Sequence, residues 1–208
     1  MISRRRFTAL SMAAAVGTGI GGWSAEAAER LAPAQLEGGG LTQAWFLESF
    51  LEFNDDLAEA TAKGKRFAIL WEQDGCPYCR ETHMVNFAIP EIRAYIQANF
   101  EIVQLDIWGG RATKDFDGET LTEKQLAKRS RVRFTPTIQF FPPSTDAAAG
   151  KIGANAEVVR MPGYFRPFHF LSMFEFVREE AYAREDFRSF LNKKTAAIKA
   201  AGKSIPSW

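Results

Sequence analysis

Cysteine and histidine are scarce in this chain, two of each among 208 residues, and His83 and His169 stand apart without zinc-finger spacing. A structural zinc centre usually takes four such ligands, so none is expected. An excess of charge of either sign is missing as well. With 26 Lys and Arg against 25 Asp and Glu, the near-neutral chain gives no reason to expect nucleic acid as a partner. There is no internal repeat. The apolar stretch Ala9 to Gly22 is Ala- and Gly-rich and only mildly hydrophobic, which suits an export signal and not a membrane span.

What surrounds that stretch completes the signal. Ser3-Arg4-Arg5-Arg6-Phe7 is a charged start that resembles the twin-arginine type, and Ala25-Glu26-Ala27 is a small-residue cleavage site. A Sec signal with a basic start, or an uncleaved anchor, are the other readings; no cysteine near the cleavage site leaves a lipoprotein anchor out. The expectation is a signal over 1–27, cleaved near Ala27, and a periplasmic protein in a compartment where disulfides persist. Cleavage there removes three arginines and one glutamate and moves the formal charge from +1 to −1. The remainder is long enough for one domain with a sizeable core.

The two cysteines fall together, in Cys76-Pro77-Tyr78-Cys79. A disulfide closing so short a loop removes little unfolded-state entropy, so stapling the fold is a poor reason for it. Phe67 to Trp71 reads as a buried strand, Asp74-Gly75 as a turn, and the pattern after Cys79 as a helix. Pro77 then sits in the first helical turn, where its missing N–H has no partner to lose. Cys76 would meet the free N–H groups of that turn, which favour thiolate over thiol, and is the expected nucleophile; Cys79, one turn deeper, is the expected resolving thiol. Two thiolates with His83, one turn beyond, could instead hold Cu(I), and an inert bridge is the blandest option. His83 could tune a thiol or be a half-exposed helix residue, and Tyr78 is expected to be exposed on the substrate-facing surface.

Along the rest of the chain, 28–40 reads as a linker, 41–183 as one domain and 184–208 as a C-terminal helical extension. Leu41 to Ala62 has helical spacing, with Trp45, Leu47, Phe50, Leu51 and Leu57. A helix from Pro90 to Ala98, a strand over Phe100 to Ile107, a polar loop from Gly109 to Gly118 and a helix over Thr120 to Arg129 follow. Two strands, Thr137 to Phe141 and Ala156 to Met161, precede helices over Phe165 to Ala183 and Glu185 to Ala200. A βαβ unit followed by ββα makes an α/β fold, a mixed central sheet with helices on both faces and helical extensions at both ends.

Strand, turn and Cys-x-x-Cys at a helix start, together with Arg133-Phe134-Thr135-Pro136-Thr137 opening a later strand, resemble the thioredoxin superfamily. The resemblance implies that Pro136 is cis and lies beside the disulfide, leaving the Thr135 backbone to pair with an extended substrate. Trp71 to Cys79, the Asp115-Phe116-Asp117-Gly118 loop, Thr135-Pro136-Thr137 and Pro162-Gly163-Tyr164 resemble more narrowly the exported SoxW-type thioredoxins of sulfur-oxidation gene clusters, over residues 55 to 182. That likeness implies reduction of periplasmic protein disulfides, cysteine-bearing sulfur carriers among the clients, and electrons from a membrane thiol transporter of the CcdA/DsbD kind. It calls for no cofactor. The same sulfurs could run as an oxidase or isomerase; the Pro-Tyr dipeptide also occurs in glutaredoxins, but no glutathione site can be read. One departure stands out. Leu70 occupies the place, six residues before the first cysteine, where general thioredoxins bury an aspartate, and the nearest acid is Glu72, which could relay a proton to Cys79 or tune the thiols.

Overall fold

The computed structural model of the chain describes residues 33–36 and 39–208, so the expected export signal and part of the expected linker lie outside the described residues. A small antiparallel hairpin comes first, β1 (Ala34–Gln35) and β2 (Leu41–Thr42). Then follow α1 (Phe53–Ala62), β3 (Arg66–Glu72), α2 (Pro77–Glu81) continued by a π-turn over Thr82–Asn86, α3 (Pro90–Asn99) and β4 (Phe100–Asp106). A second hairpin, β5 (Ala112–Lys114) and β6 (Thr120–Thr122), leads into α4 (Glu123–Arg129). The chain ends with β7 (Thr137–Phe140), α5 (Gly153–Ala156), β8 (Val159–Pro162), α6 (Pro167–Arg178) and α7 (Phe187–Ala200).

The central sheet runs β4-β3-β7-β8, with β3 parallel to β4 and antiparallel to β7, and β7 antiparallel to β8. β3 is covered on both faces, which is why it reads as an unbroken apolar run. Its period-2 alternation divides the core. Ala68 and Leu70 join Phe87, Ile92 and Ile96 and the α6 phenylalanines Phe170 and Phe174. Phe67, Ile69 and Trp71 join Phe53 and Leu57 of α1, with Phe116 and Leu126. Glu72, next in the Ala68-Leu70 series, is therefore delivered to the face that carries the cysteine helix.

Three expectations need correction. The helix read over Leu41 to Ala62 begins only at Phe53. Its apolar residues do not share one stripe: Trp45 and Phe46 pack on the first core cluster, Leu47 and Leu51 on the second, and Phe50 is 98% exposed. The segment crosses the edge of β4, where Leu47 N–H donates to Ile102 C=O, and Leu51 takes a positive φ of 63°. The loop read over Gly109 to Gly118 contains β5, paired with β6. The strand read from Ala156 starts at Val159, after the short α5.

At the far end, α7 has no buried residue of its own but sets Phe187 and Phe190 against Phe176 of α6 at 5.6 and 5.3 Å between ring centroids. Lys194 of α7 pairs with Glu175 and lies 4.9 Å over the Phe168 ring. Among the described residues no helix is long and apolar enough to cross a membrane.

Candidate functional site

The turn that ends β3 sets the site. Asp74 accepts from the Gly75 N–H, Gly75 takes φ 68°, and the chain enters α2 with Cys76 as its N-cap and Pro77 in the first turn. Cys76 and Cys79 are joined as a disulfide. The Cys79 backbone N–H points at Cys76 Sγ at 3.1 Å, a donor that would serve a thiolate there once the bond is opened. Both residues are largely buried, Cys76 9% exposed and Cys79 5%.

The loop before β7 closes over Cys76 from the other side. The Thr135–Pro136 peptide bond is cis, and Pro136 precedes the first β7 residue, where it removes no ladder donor. Thr135 Oγ1 lies 3.4 Å from Cys76 Sγ and its carbonyl oxygen 3.5 Å. Tyr78 is 62% exposed and stacks on Tyr164, centroids 6.2 Å apart and 18° between planes. Tyr164 also reaches Asn86 at 3.4 Å, and its own burial pushes its hydroxyl pKa up. Phe134 and Trp108 add exposed aromatic surface in the loops that follow β6–α4 and β4.

His83 is not half-exposed, as the helical pattern suggested; it is 1% exposed. The π-turn over Thr82–Asn86 buries Thr82, His83 and Asn86 together, and Thr82 Oγ1 bonds back to Tyr78 C=O at 2.9 Å. His83 Nε2 meets Glu72 Oε2 at 2.9 Å and its Nδ1 meets Gln43 Nε2 at 3.1 Å. Gln104 of β4 donates from its Nε2 both to the same Glu72 oxygen and, at 2.7 Å, to the Leu41 carbonyl. Glu72 Oε1 is buried with no hydrogen-bond partner among the described residues. Both His83 nitrogens are thus engaged, so the ring does not converge with the two sulfurs on a common metal position. Among the described residues no group of three or more His, Cys, Asp or Glu is placed to hold a metal ion.

Beside the disulfide lies a half-open cavity of about 650 Å³ that Cys76, Cys79, Glu72, His83 and Gln104 line from the domain and Leu36, Gly39, Gly40 and Leu41 from the first hairpin. Gly39 lets that hairpin approach; a Cβ there would sit 2.4 Å from Asp74 Oδ1. Sequence reading brought out Cys76, Pro77, Tyr78, Cys79, Thr135 and Pro136, and named Glu72 and His83 as possible tuners. It missed Gln43, Gln104, Asn86 and Tyr164. A polar residue inside the apolar strand Phe100 to Leu105 was the available signal for Gln104; nothing local marks Gln43.

A family model described as a thioredoxin-like domain matches residues 53–178. Among solved structures, a thioredoxin-fold protein from Helicobacter pylori is 22% identical, with 64% of this chain and 81% of that chain covered at a TM-score of 0.48. A thioredoxin from Thermus thermophilus is 25% identical, with 61% of this chain and 83% of that chain covered at a TM-score of 0.45. No curated protein matches the chain.

Proposed function

The chain belongs to the thioredoxin-like domain family, and on that premise we propose that it is an exported thiol-disulfide oxidoreductase that reduces protein disulfides in the periplasm. The observation that carries the reading is the Cys76–Cys79 disulfide at a helix start, with a backbone N–H on the first sulfur and Thr135 against it. In the reduced protein Cys76 thiolate attacks one sulfur of a client disulfide, the client S–S bond breaks, and one client thiolate leaves. Cys79, having lost its proton, then attacks Cys76 Sγ in the mixed disulfide. The second client thiolate leaves, and two electrons have passed from the cysteine pair to the client.

Glu72 is the acceptor we assign for the Cys79 proton. It stands two residues beyond Leu70 on the same face of β3, lining the cavity that Cys79 also lines, with Oε1 uncommitted. Thr135, with Pro77 and Tyr78 beside it, is the surface on which an extended client segment would lie. The narrower likeness to SoxW-type thioredoxins supports cysteine-bearing sulfur carriers as clients and a membrane thiol transporter of the CcdA/DsbD kind as electron source.

Insulin reduction with dithiothreitol tests the activity: the protein should precipitate insulin B chain, Cys76→Ala should not, and Cys79→Ala should be recovered covalently joined to client. A reduced protein in which iodoacetamide labels Cys79 before Cys76 would reverse the assignment. Export is tested separately, by sequencing the N-terminus of protein recovered from the periplasm; cleavage near Ala27 is expected.

A further inference from the structure

The hydrogen bonds around Glu72 have a direction, and it is set from outside the matched domain. Gln104 Nε2 faces two groups that only accept, the Leu41 carbonyl and the Glu72 carboxylate, so its amide must present N–H to both. Gln43 places its Nε2 against His83 Nδ1, and in that orientation of the amide Nδ1 accepts; a neutral ring then carries its proton on Nε2 and donates it to Glu72 Oε2. Two N–H donors are gathered on one carboxylate oxygen. The other, Oε1, is left buried and without a partner among the described residues, in a residue that is 6% exposed. A buried polar atom left open in this way costs free energy, and a catalytic role is one reason for a protein to bear it.

Leu41 and Gln43 precede the matched residues 53–178, yet they supply the carbonyl and the amide that close this chain of bonds. Gln43 is 4% exposed, and its amide meets His83 across 40 residues of sequence. We infer that the segment Leu41–Gln43 is part of the redox centre, and that Gln43 is a positioning residue that fixes His83 as the Nε2–H tautomer and so keeps Glu72 Oε1 open for the Cys79 proton. The inference rests on the oxidoreductase reading for its consequence but not for its geometry. Were His83 to carry its proton on Nδ1, Nε2 would be a bare acceptor facing Glu72 Oε2. The carboxyl would have to turn or hold a proton of its own, and the open oxygen would be lost.

The test uses the full chain, with Gln43→Met, which keeps the volume and removes the donor, and Gln43→Glu, which offers an acceptor to Nδ1. Nitrogen-15 NMR of the His83 ring should show Nε2–H in the parent protein and a shift toward Nδ1–H or imidazolium in Gln43→Glu. Both variants should reduce insulin about three- to tenfold more slowly, the size expected for one hydrogen bond lost. Alkylation of Cys76 in the reduced protein should proceed at the parental rate, because Gln43 acts on the second half of the cycle. An Nδ1–H ring in the parent protein overturns the inference. So does a Gln43 variant whose ring signals are unchanged, or one in which Cys76 alkylation falls as much as turnover. A parent protein that reduced no disulfide would remove the functional reading, and the ring signals would then decide the tautomer assignment by themselves.

Discussion

At the scale of single residues the chain separates groups that serve the sulfurs from groups that serve the fold, and Asp56 shows the second kind. Burial, with Glu59, Asp55 and Glu52 nearby and against the stabilising hydroxyl of Ser49, pushes its carboxyl up to about 6. Its ordinary value is 3.8, so the folded protein holds this proton more tightly than the unfolded chain. The resulting stability is present below pH 4 and is lost as pH rises through about 6. Asp56→Asn should flatten that loss: between pH 4 and 6.5 the parent should fall by roughly 1–2 kcal/mol relative to the variant, after discount for partial solvation. Urea denaturation at both pH values measures it. Parallel pH profiles would show that the Ser49 hydroxyl alone keeps Asp56 ionised. Glu72 belongs to the first kind. Glu72→Gln should slow disulfide reduction about 10²-fold or more, the span typical of a lost proton-transfer group, while Cys76 labelling stays fast.

The elements differ in how plainly the sequence announces them. β3, β4, α3 and the cysteine helix are legible because each is set by one strong local pattern: an apolar run, or proline at a first turn. Thr122 shows the same for α4, where its hydroxyl accepts from Gln125 N–H and Gln125 Oε1 accepts in return from Thr122 N–H. Thr122→Ala should therefore cost about 1 kcal/mol in denaturant unfolding. The stretch from Leu41 to Glu52 misleads, because side chains bound for opposite faces of a sheet can mimic the spacing of one helical face. The π-turn is illegible for a different reason. His83 and Asn86 follow Cys79 by four and seven residues, which predicts a shared face, but not that Phe46 and Trp45, from ahead of the matched residues 53–178, would pack on His83 and Phe87. The site was legible where its chemistry is covalent, at Cys76 and Cys79. It was hidden where it depends on Gln43 and Gln104, whose roles exist only once distant segments meet.

For the whole molecule, the reduction potential is the property that would place the protein among its relatives. A reductant should equilibrate with a thiol buffer nearer about −270 mV, as thioredoxin does, than about −120 mV, as a strong oxidant does. A value at the oxidising end would turn the proposed direction of electron flow around. The C-terminal helix bears on stability only: Phe190→Ala, which removes a ring from the α6–α7 contact, should lower the denaturation midpoint and leave insulin reduction unchanged. The segment that crosses the β4 edge has a different consequence, for the order in which the molecule forms and opens. Leu41 must wait for Gln104, 63 residues later in the chain, and Leu47 for Ile102. Both partners lie on the edge strand β4, which must be in place to receive them, so the segment should dock after the sheet has formed and detach before it melts. Under native-state hydrogen exchange, the Leu47 amide should open with a smaller free energy than the amides of β3. The protein would then pass through a state in which the central sheet is whole but Gln43 no longer meets His83 beside Glu72.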